Sequence, residues 1–498
     1  MFELSNLFDL ACYIRKALYL TDNGGLPAQT YVLIIVVSKF IFSTVLISLF
    51  SFCMLLVDNK NIYLIQVVRQ IDRSVYNFRK RKMYAEPPFS ILPQRLRQEI
   101  FRHCSKEDLS SLTQCSKWVH KDVFPILFNE LGVHWLHLDR NVSTMCKKRH
   151  TCMQCVSHLK LYGDVLDVHR RLYLSFGFGF LLRSCNGERL KSLTIKDFLV
   201  NCGLQLICNM LPNLQFLKLE KVHGDWDSLA RLPPLKSLTI KHCTLGNRHW
   251  VMIGAMESLE FLDISNSDHY MCGEENESYF KLVNLRYLDL SATNIDDKVL
   301  PVISTTCQKL EYLDISYCTD VTNLGLSCVA HIATLTTLNN TYRRMSEKEA
   351  FFLSKLPSLE RLDVSHCFPA NLSSLSGIGD MQTLTYLNIG VTWRKASDDD
   401  FIHIRNLTSL RELHMEYFTK LTNRSLEVVA ELVLLEKLDI SSCSGFTNDG
   451  LKFLTKLLHL RVLRCSGVTG ITEDGLQSHD LAKFLVDLNS AQEVVMDV

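Results

Sequence analysis

The chain has almost no net charge: 54 Lys and Arg stand against 53 Asp and Glu, leaving a formal +1. No overall field concentrates phosphate backbones or anionic lipid, so nucleic acid is not expected as a partner. Also missing are a nucleotide-binding glycine loop, a His-Glu-x-x-His pair and a Gly-x-Ser-x-Gly elbow, and the 17 histidines are scattered without an obvious nucleophile. These absences predict no active site, no catalytic residue and no cofactor. What the chain does have is bulk. Its 498 residues, 47% of them hydrophobic, suffice for two or three domains with a large core, which excludes a disordered chain or a disulfide-stapled mini-protein. Eighteen cysteines fit extracellular bridges, metal ligands or buried thiols, and only their placement decides.

Residues 40–57 form an uncharged run of 18, extended N-terminally by 31–38 past the single charge of Lys39. At ~1.5 Å per residue the run reaches ~27 Å, close to a bilayer core, so 31–57 reads as a transmembrane helix after a 1–30 tail. It is too long and too late for a cleaved signal peptide and lacks a small-residue cleavage site. Three basic residues precede its apolar core (Arg15, Lys16, Lys39), and seven follow Val57 within 25 residues: Lys60, Arg69, Arg73, Arg79, Lys80, Arg81 and Lys82. That bias places the C-terminal side in the cytosol and explains the basic run 79–82 by topology. Within the basic 58–88 linker, Leu64, Val68, Ile71, Val75 and Phe78 recur at helical spacing, suiting either a helix on an anionic leaflet or an ordinary amphipathic one. The alternatives for the span are a buried helix or a protein that starts internally at Met83.

After Pro87-Pro88, residues 89–130 read as three short helices. Pro93 sits in a first turn with Leu96, Ile100 and Phe101 on one face; Ser105 with Asp108 caps a second helix carrying Leu109, Leu112 and Cys115; a third apolar stretch runs Val123–Leu131 around Pro125. So small a unit makes a poor independent core and needs a partner over its apolar surface. The string Leu92-Pro93, Leu96, Ile100-Phe101, Asp108-Leu109, Leu112 and Cys115-Ser116-Lys117-Trp118 resembles the F-box, the three-helix motif of SCF ubiquitin ligase receptors. The resemblance implies that Leu92, Pro93, Leu96, Ile100 and Phe101, with Leu109 and Leu112, contact a Skp-type adaptor that leads to a cullin scaffold. Arg95 replaces the family's usual acidic residue, and Trp118 comes one residue early. A helical hairpin that merely caps the next domain is the alternative.

From Leu190 the chain repeats Leu-x-x-Leu-x-(Leu/Ile/Val), opening at Leu190, Leu214, Leu235, Leu259, Leu285, Leu310, Leu335, Leu359, Leu384, Leu410, Leu435 and Leu460, at intervals of 21 to 26 residues. Leu335 and Leu460 lose the third apolar position. This leucine-rich-repeat signature predicts one strand and one helix per unit, stacked from 190 to 476 into an α/β horseshoe solenoid with a parallel concave sheet and outer helices. Val321-Thr322-Asn323, Leu421-Thr422-Asn423 and Phe446-Thr447-Asn448 repeat a helix-start signal in which Thr is the cap. Residues 131–189 are read as linker and N-terminal cap, and 477–498 as C-terminal cap. The cysteine-containing repeats of F-box receptors are the variety it resembles best.

Cys243, Cys318, Cys367 and Cys443 each lie eight residues after a repeat's first Leu, a site suited to a buried thiol. Sites two repeats apart are ~10 Å from each other, too far for a disulfide, which favours a reducing compartment. Six Asn-x-Ser/Thr sequons, at Asn141, Asn276, Asn339, Asn371, Asn406 and Asn423, keep an extracellular alternative open. In the linker, Cys146, His150, Cys152, Cys155 and His158 include three zinc-spaced ligands but no second well-spaced pair, so no metal is expected.

Every second strand side chain faces solvent, which sets out a row of Asp263, Asp289, Asp314, Asp363 and Asp439 beside Phe216, Phe261, Tyr287, Tyr312 and Tyr386. Aromatics fenced by carboxylates suit a basic, partly apolar peptide. The alternative is that Leu-Asp-(Leu/Ile)-Ser is filler whose Asp and Ser serve turns. The resemblance as a whole implies a non-catalytic substrate receptor of an SCF ligase, cytoplasmic and held at a membrane if the span is real. The other readings are a ligase-independent scaffold and an elongin–cullin receptor of Zyg-eleven type, whose C-terminal armadillo-like extension is not seen.

Overall fold

The chain divides into two units, Met1–Asn129 and Glu130–Val498. The computed structural model describes residues 129–134, 150–162, 171–197, 199–200, 203–224, 226–269, 281–345, 347–369, 374–392, 394–479, 481 and 485–487. The predicted span 31–57 and the F-box-like module therefore lie outside the described residues, apart from Asn129 and Glu130. Among those described, no helix is long and apolar enough to cross a membrane.

The described residues build one fifteen-stranded sheet in strict chain order. Its strands are β1 (Glu130–His134), β2 (His158–Tyr162), β3 (Ser192–Lys196), β4 (Phe216–Glu220), β5 (Ser237–Lys241), β6 (Phe261–Asp263), β7 (Tyr287–Asp289), β8 (Tyr312–Asp314), β9 (Thr337–Asn339), β10 (Arg361–Asp363), β11 (Tyr386–Asn388), β12 (Glu412–His414), β13 (Lys437–Asp439), β14 (Val462–Arg464) and β15 (Leu485–Asp487). Every neighbouring pair is parallel, and from β3 to β14 the register sets equivalent repeat positions side by side, as in Leu288 against Leu262 and Leu313. The sheet begins two strands before Leu190, within the stretch read as linker and cap, and its fifteenth strand falls in the stretch read as C-terminal cap. Counting each repeat's first Leu as zero, positions 0, 3 and 5 form the core: Leu285, Leu288 and Leu290 are fully buried, and so are their counterparts Leu310, Leu313 and Ile315. Each such side chain contributes about 1.5–3 kcal/mol by leaving water.

On the return side, short helices are tied to their neighbours by the Thr-Asn signal. Thr322 and Thr422 accept the backbone N–H groups of Leu324 and Arg424 as caps. The Asn does something the sequence did not disclose: Asn423 Oδ1 accepts the Thr447 N–H of the next repeat at 3.0 Å while its Nδ2 donates to Thr447 Oγ1 at 2.7 Å. Asn448 holds Thr472 in the same way at 3.0 Å and 3.0 Å. Asp297 and Asp398 take this role toward Thr322 and Thr422.

After each strand the chain turns sharply at position 7, where all twelve residues from Asp197 to Gly467 have positive φ and eleven of them are not glycine. The N–H there still joins the parallel ladder, as Tyr317 does to Thr341 at 3.0 Å and His366 to Gly390 at 3.0 Å. The strained backbone is thus held by bonds on its neighbour, an arrangement that a stack of repeats supplies and a lone unit lacks. At position 8 several repeats place a small inward donor. Cys318, Cys367 and Cys443 donate Sγ–H to carbonyls of the preceding repeat (Leu290, Asn340 and Met415) at 3.1, 3.0 and 3.0 Å, and Ser267 and Thr392 do the same with hydroxyls at 3.0 and 2.6 Å. All four sequence-selected cysteines are buried thiols outside any disulfide.

Candidate functional site: the open face of the sheet

Positions 2 and 4 of each strand face away from the core. At position 2, Phe261, Tyr287 and Tyr312 stack into one ladder, with ring centroids 4.1 Å apart at both steps and planes within 10° and 6°. In-register parallel strands repeat every ~4.8 Å, so identical positions bring rings within stacking reach. Burial among these rings pushes the Tyr287 hydroxyl up to about 12 and the Tyr312 hydroxyl higher still, with the Asp314 carboxylate adding to the latter. Both stay protonated. Phe216, 42% exposed, is separated from the ladder by Ser237 on β5. Tyr386 is separated from it as well, and Arg361 covers it with a guanidinium 4.0 Å from the ring centre.

The carboxylates of position 4 are committed to the protein's own turns and neighbouring strands. Asp263, Asp289 and Asp439 are buried, and Oδ1 of Asp263, Asp289, Asp314, Asp363 and Asp439 accepts the N–H of the residue two further on at 3.2, 2.9, 2.9, 2.9 and 3.0 Å. The hydroxyls of Ser265 and Ser291 donate to the same oxygens at 2.9 and 2.6 Å. One oxygen of each Asp therefore shores up the turn out of the strand. The second reaches sideways: Lys241 meets Asp263 at 2.8 Å, Asn339 donates to Asp314 at 2.9 Å and Asn388 to Asp363 at 3.0 Å. Burial holds the carboxyls of Asp289 and Asp363 above the usual carboxylate range, the Ser bonds offsetting it only in part. The fence of acids is thus largely a row of turn braces, and the aromatics are its freer members.

Sequence reasoning missed two groups. Tyr317, Tyr342 and His366, all at position 7, form a second ladder with centroid spacings of 4.2 and 4.2 Å; Tyr317 is 50% exposed. The positive-φ turn aims these side chains out along one rim. The second group is His414 at position 4 and Glu416 at position 6, where five other repeats, the following one included, carry Asp and Ser. His414 lies 2.9 Å from Glu412 Oε1 through Nε2, and 3.8 Å and 3.9 Å from Glu416 Oε1 and Asp439 Oδ2 through Nδ1. The signal was the His-x-Glu that stands at positions 4 and 6 in this repeat and in no other counted from Leu190. Among the described residues, these three form the group of metal-type ligands that comes together. Of the zinc-spaced linker residues, Cys155 is free and half-buried, while Cys146 and the side chains of His150 and Cys152 lie outside the described residues.

Residues 306–330 match the family described as Leucine Rich repeat. Among curated proteins, F-box/LRR-repeat protein 4 of Bos taurus is 26% identical over 267 residues, 49% of this chain and 40% of that protein. The chain thus spans well under half the length of that relative. An internalin (inlF) structure from Listeria monocytogenes is similar over 70% of this chain and 93% of its own, at 15% identity and a TM-score of 0.42. The in-register parallel ladder and the repeat match show a solenoid of leucine-rich-repeat type with a broad open side-chain face.

Proposed function

We propose that this chain is the substrate-recognition subunit of an SCF-type ubiquitin ligase. The module at 89–130 recruits a Skp-type adaptor and through it a cullin, and the solenoid holds a target protein on its open face. The observation that carries the reading is the order of parts: an F-box-like string placed directly before leucine-rich repeats, in a chain similar to a protein named for that combination. The chain itself does no chemistry in this reading. It supplies proximity between the target and a thioester carried by another subunit. The aromatic ladders and Arg361 are the binding elements, since stacked rings offer large contact area at little further entropic cost. Residues 31–82 would hold the assembly on the cytosolic side of a membrane.

Co-purification of the intact chain with a Skp-type adaptor tests the reading. Capture is expected, and Leu92→Ala, Pro93→Ala and Ile100→Ala together abolish it. Failure of the unaltered chain to capture the adaptor refutes the receptor role, and capture of elongin in its place assigns the chain to the other cullin class. Carbonate extraction of the full chain beside one starting at Met83 tests the anchor, with equal solubility refuting it.

A further inference from the structure

Three linked departures from the repeat pattern meet on β11, β12 and β13. In the repeat opened by Leu410, the Asp-x-Ser of the following unit and of four earlier ones becomes His414-x-Glu416. One repeat earlier, position 6 is Gly390, and a Cβ there would stand 2.8 Å from Glu416 Oε2. Position 6 is Ser or Thr in the units on either side (Ser365, Ser441), so the missing side chain makes room for the Glu416 carboxylate. The third corner is Asp439, whose side chain is only 6% exposed. Its Oδ1 is occupied by the Ser441 N–H; its Oδ2 has Arg464 at 3.7 Å and His414 Nδ1 at 3.9 Å, and no hydrogen bond is formed to either.

The contacts at His414 are those of a ligand held from behind. Nε2 donates to Glu412 Oε1 at 2.9 Å, and Glu412 is itself steadied by Lys437 at 3.1 Å. In the neutral imidazole that donation leaves the Nδ1 lone pair facing the carboxylates of Glu416 and Asp439. At 3.8 and 3.9 Å these separations are too long for hydrogen bonds. Four-coordinate zinc with ligands at ~2.0–2.2 Å sets them roughly 3.3–3.6 Å apart, so the cluster is an open one that closes by a few tenths of an ångström onto an ion. The carboxyl oxygens of Glu416 and Asp439 lie within 4.8 Å of each other and of the imidazole nitrogen, a contact that a shared proton or a bound cation relieves. Imidazole oriented by a second carboxylate is the recurrent support of such sites.

We propose that His414 Nδ1, Glu416 and Asp439 bind one divalent transition cation of the zinc class, with Glu412 as the positioning residue behind the imidazole. Three protein ligands leave a fourth position for water or for a side chain of whatever protein lies on the sheet. This site is independent of the ligase reading, because neither its residues nor its test involves 89–130.

The test is Zn²⁺ and Co²⁺ titration of the purified, reduced full chain. Cysteine sites are separated by spectrum: a nitrogen and oxygen ligand set gives cobalt visible bands without the sulfur charge-transfer absorption of thiolate ligation. One such equivalent is expected in the unaltered chain. The double variant His414→Asp, Glu416→Ser restores the pattern of the neighbouring repeats, so it folds and loses that equivalent. Glu412→Gln keeps all three ligands and weakens binding 10–100-fold; Gly390→Ser crowds Glu416 and weakens it without removing a ligand. The proposal is overturned if the unaltered chain shows no sulfur-free cobalt spectrum, or if the double variant binds as tightly as the parent; either result makes the cluster an imidazolium paired with carboxylates.

Discussion

The core contains one charged residue in a place where its neighbours are small. Position 8 is Cys318 and Cys367 in the flanking repeats, but Arg343 in the repeat between, and it is 2% exposed. The same repeat carries Asn340, fully buried, at the position 5 that its neighbours fill with Ile or Val. Arg343 donates to the Cys318 carbonyl at 3.1 Å, to the Val321 carbonyl and to Asn340 Oδ1, whereas Asn340 Nδ2 has no partner. These two anomalies therefore form one unit. Arg343→Met keeps most of the volume but orphans Asn340 Oδ1 and the Val321 carbonyl, at about 1–3 kcal/mol for each buried group, offset by release of a desolvated charge. A net loss near 3 kcal/mol is expected. Adding Asn340→Leu to that variant removes both orphaned ends of the amide and restores the missing apolar position, recovering about 2 kcal/mol or more. In the unaltered chain the same Asn340→Leu strips Arg343 of an acceptor and gains nothing net. Thermal unfolding of the four chains reads this cycle, at about 2 °C or less per kcal/mol for a solenoid of this size. If Asn340→Leu has the same effect in both backgrounds within ~0.5 kcal/mol, the two residues are uncoupled and the reasoning fails.

Burial pushes the thiols of Cys307 and Cys443 up to about 12 and that of Cys243 to about 11, so all three remain un-ionised at pH 8.5 and escape alkylation in the folded chain, while part-exposed Cys328 reacts; mass spectrometry showing Cys443 modified as fast as Cys328 would refute that packing. Asp398 accepts from Thr422 N, Thr422 Oγ1 and Ser425 Oγ at 2.9, 2.7 and 2.5 Å, and these bonds hold its carboxyl below the usual range against the opposing effect of burial. A depressed folded-state value gives stability that is present above the ordinary Asp value and lost as pH falls through the folded one. Asp398→Ala is thus expected to cost about 1–2 kcal/mol near neutrality and progressively less in acid denaturation below pH 4; a cost independent of pH would show that the charge is irrelevant. Tyr317→Ser and Tyr342→Ser remove the rim ladder at half-exposed positions. Surface-resonance titration with a captured target should show affinity lowered tenfold or more, about 1.4 kcal/mol, with an unchanged melting point, and unaltered affinity would remove that rim from the binding surface.

The solenoid was legible wherever Leu itself marks the strand. The two strands before Leu190 carry the same signature with other residues at the first position, Phe128-x-x-Leu131-x-Val133 and Val156-x-x-Leu159-x-Leu161, spaced 28 and 34 residues from the next start. The even period is broken there, so a count that follows Leu and spacing stops short. At the other end, the register of β15 on β14 sets Val486 beside Leu463, which puts Lys483 where the first Leu belongs. Single-sequence alternation also identified which face each strand residue occupies, but not how far its side chain remains free on that face. Asp289 and Tyr287 alternate with the same core leucines, yet Asp289 folds back onto Ser291 while Tyr287 stacks outward with Phe261 and Tyr312. The difference lies in partners two residues on and one repeat away, and alternation carries no information about either.

A residue that recurs across units is explained by what those units share. Asp at position 4 and Ser at position 6 brace the turn at position 7 in five of the twelve units counted from Leu190, so their presence there says little about a partner that must be told apart from others. Discrimination has to come from units that give up the brace. At the repeat of His414 the turn at Tyr417 is still made, with its N–H on the Ser441 carbonyl at 3.0 Å, although the Asp and Ser have been exchanged for His and Glu. The inter-repeat ladder alone therefore suffices to hold that turn, and the two side chains are released for another use. Arg361 follows the same logic at position 2, replacing a ring with a cation that lies over the next one. In a stacked fold whose backbone is secured by its neighbours, departures from the repeat cost little locally, so the places where several departures coincide on adjacent strands are the first to test for binding.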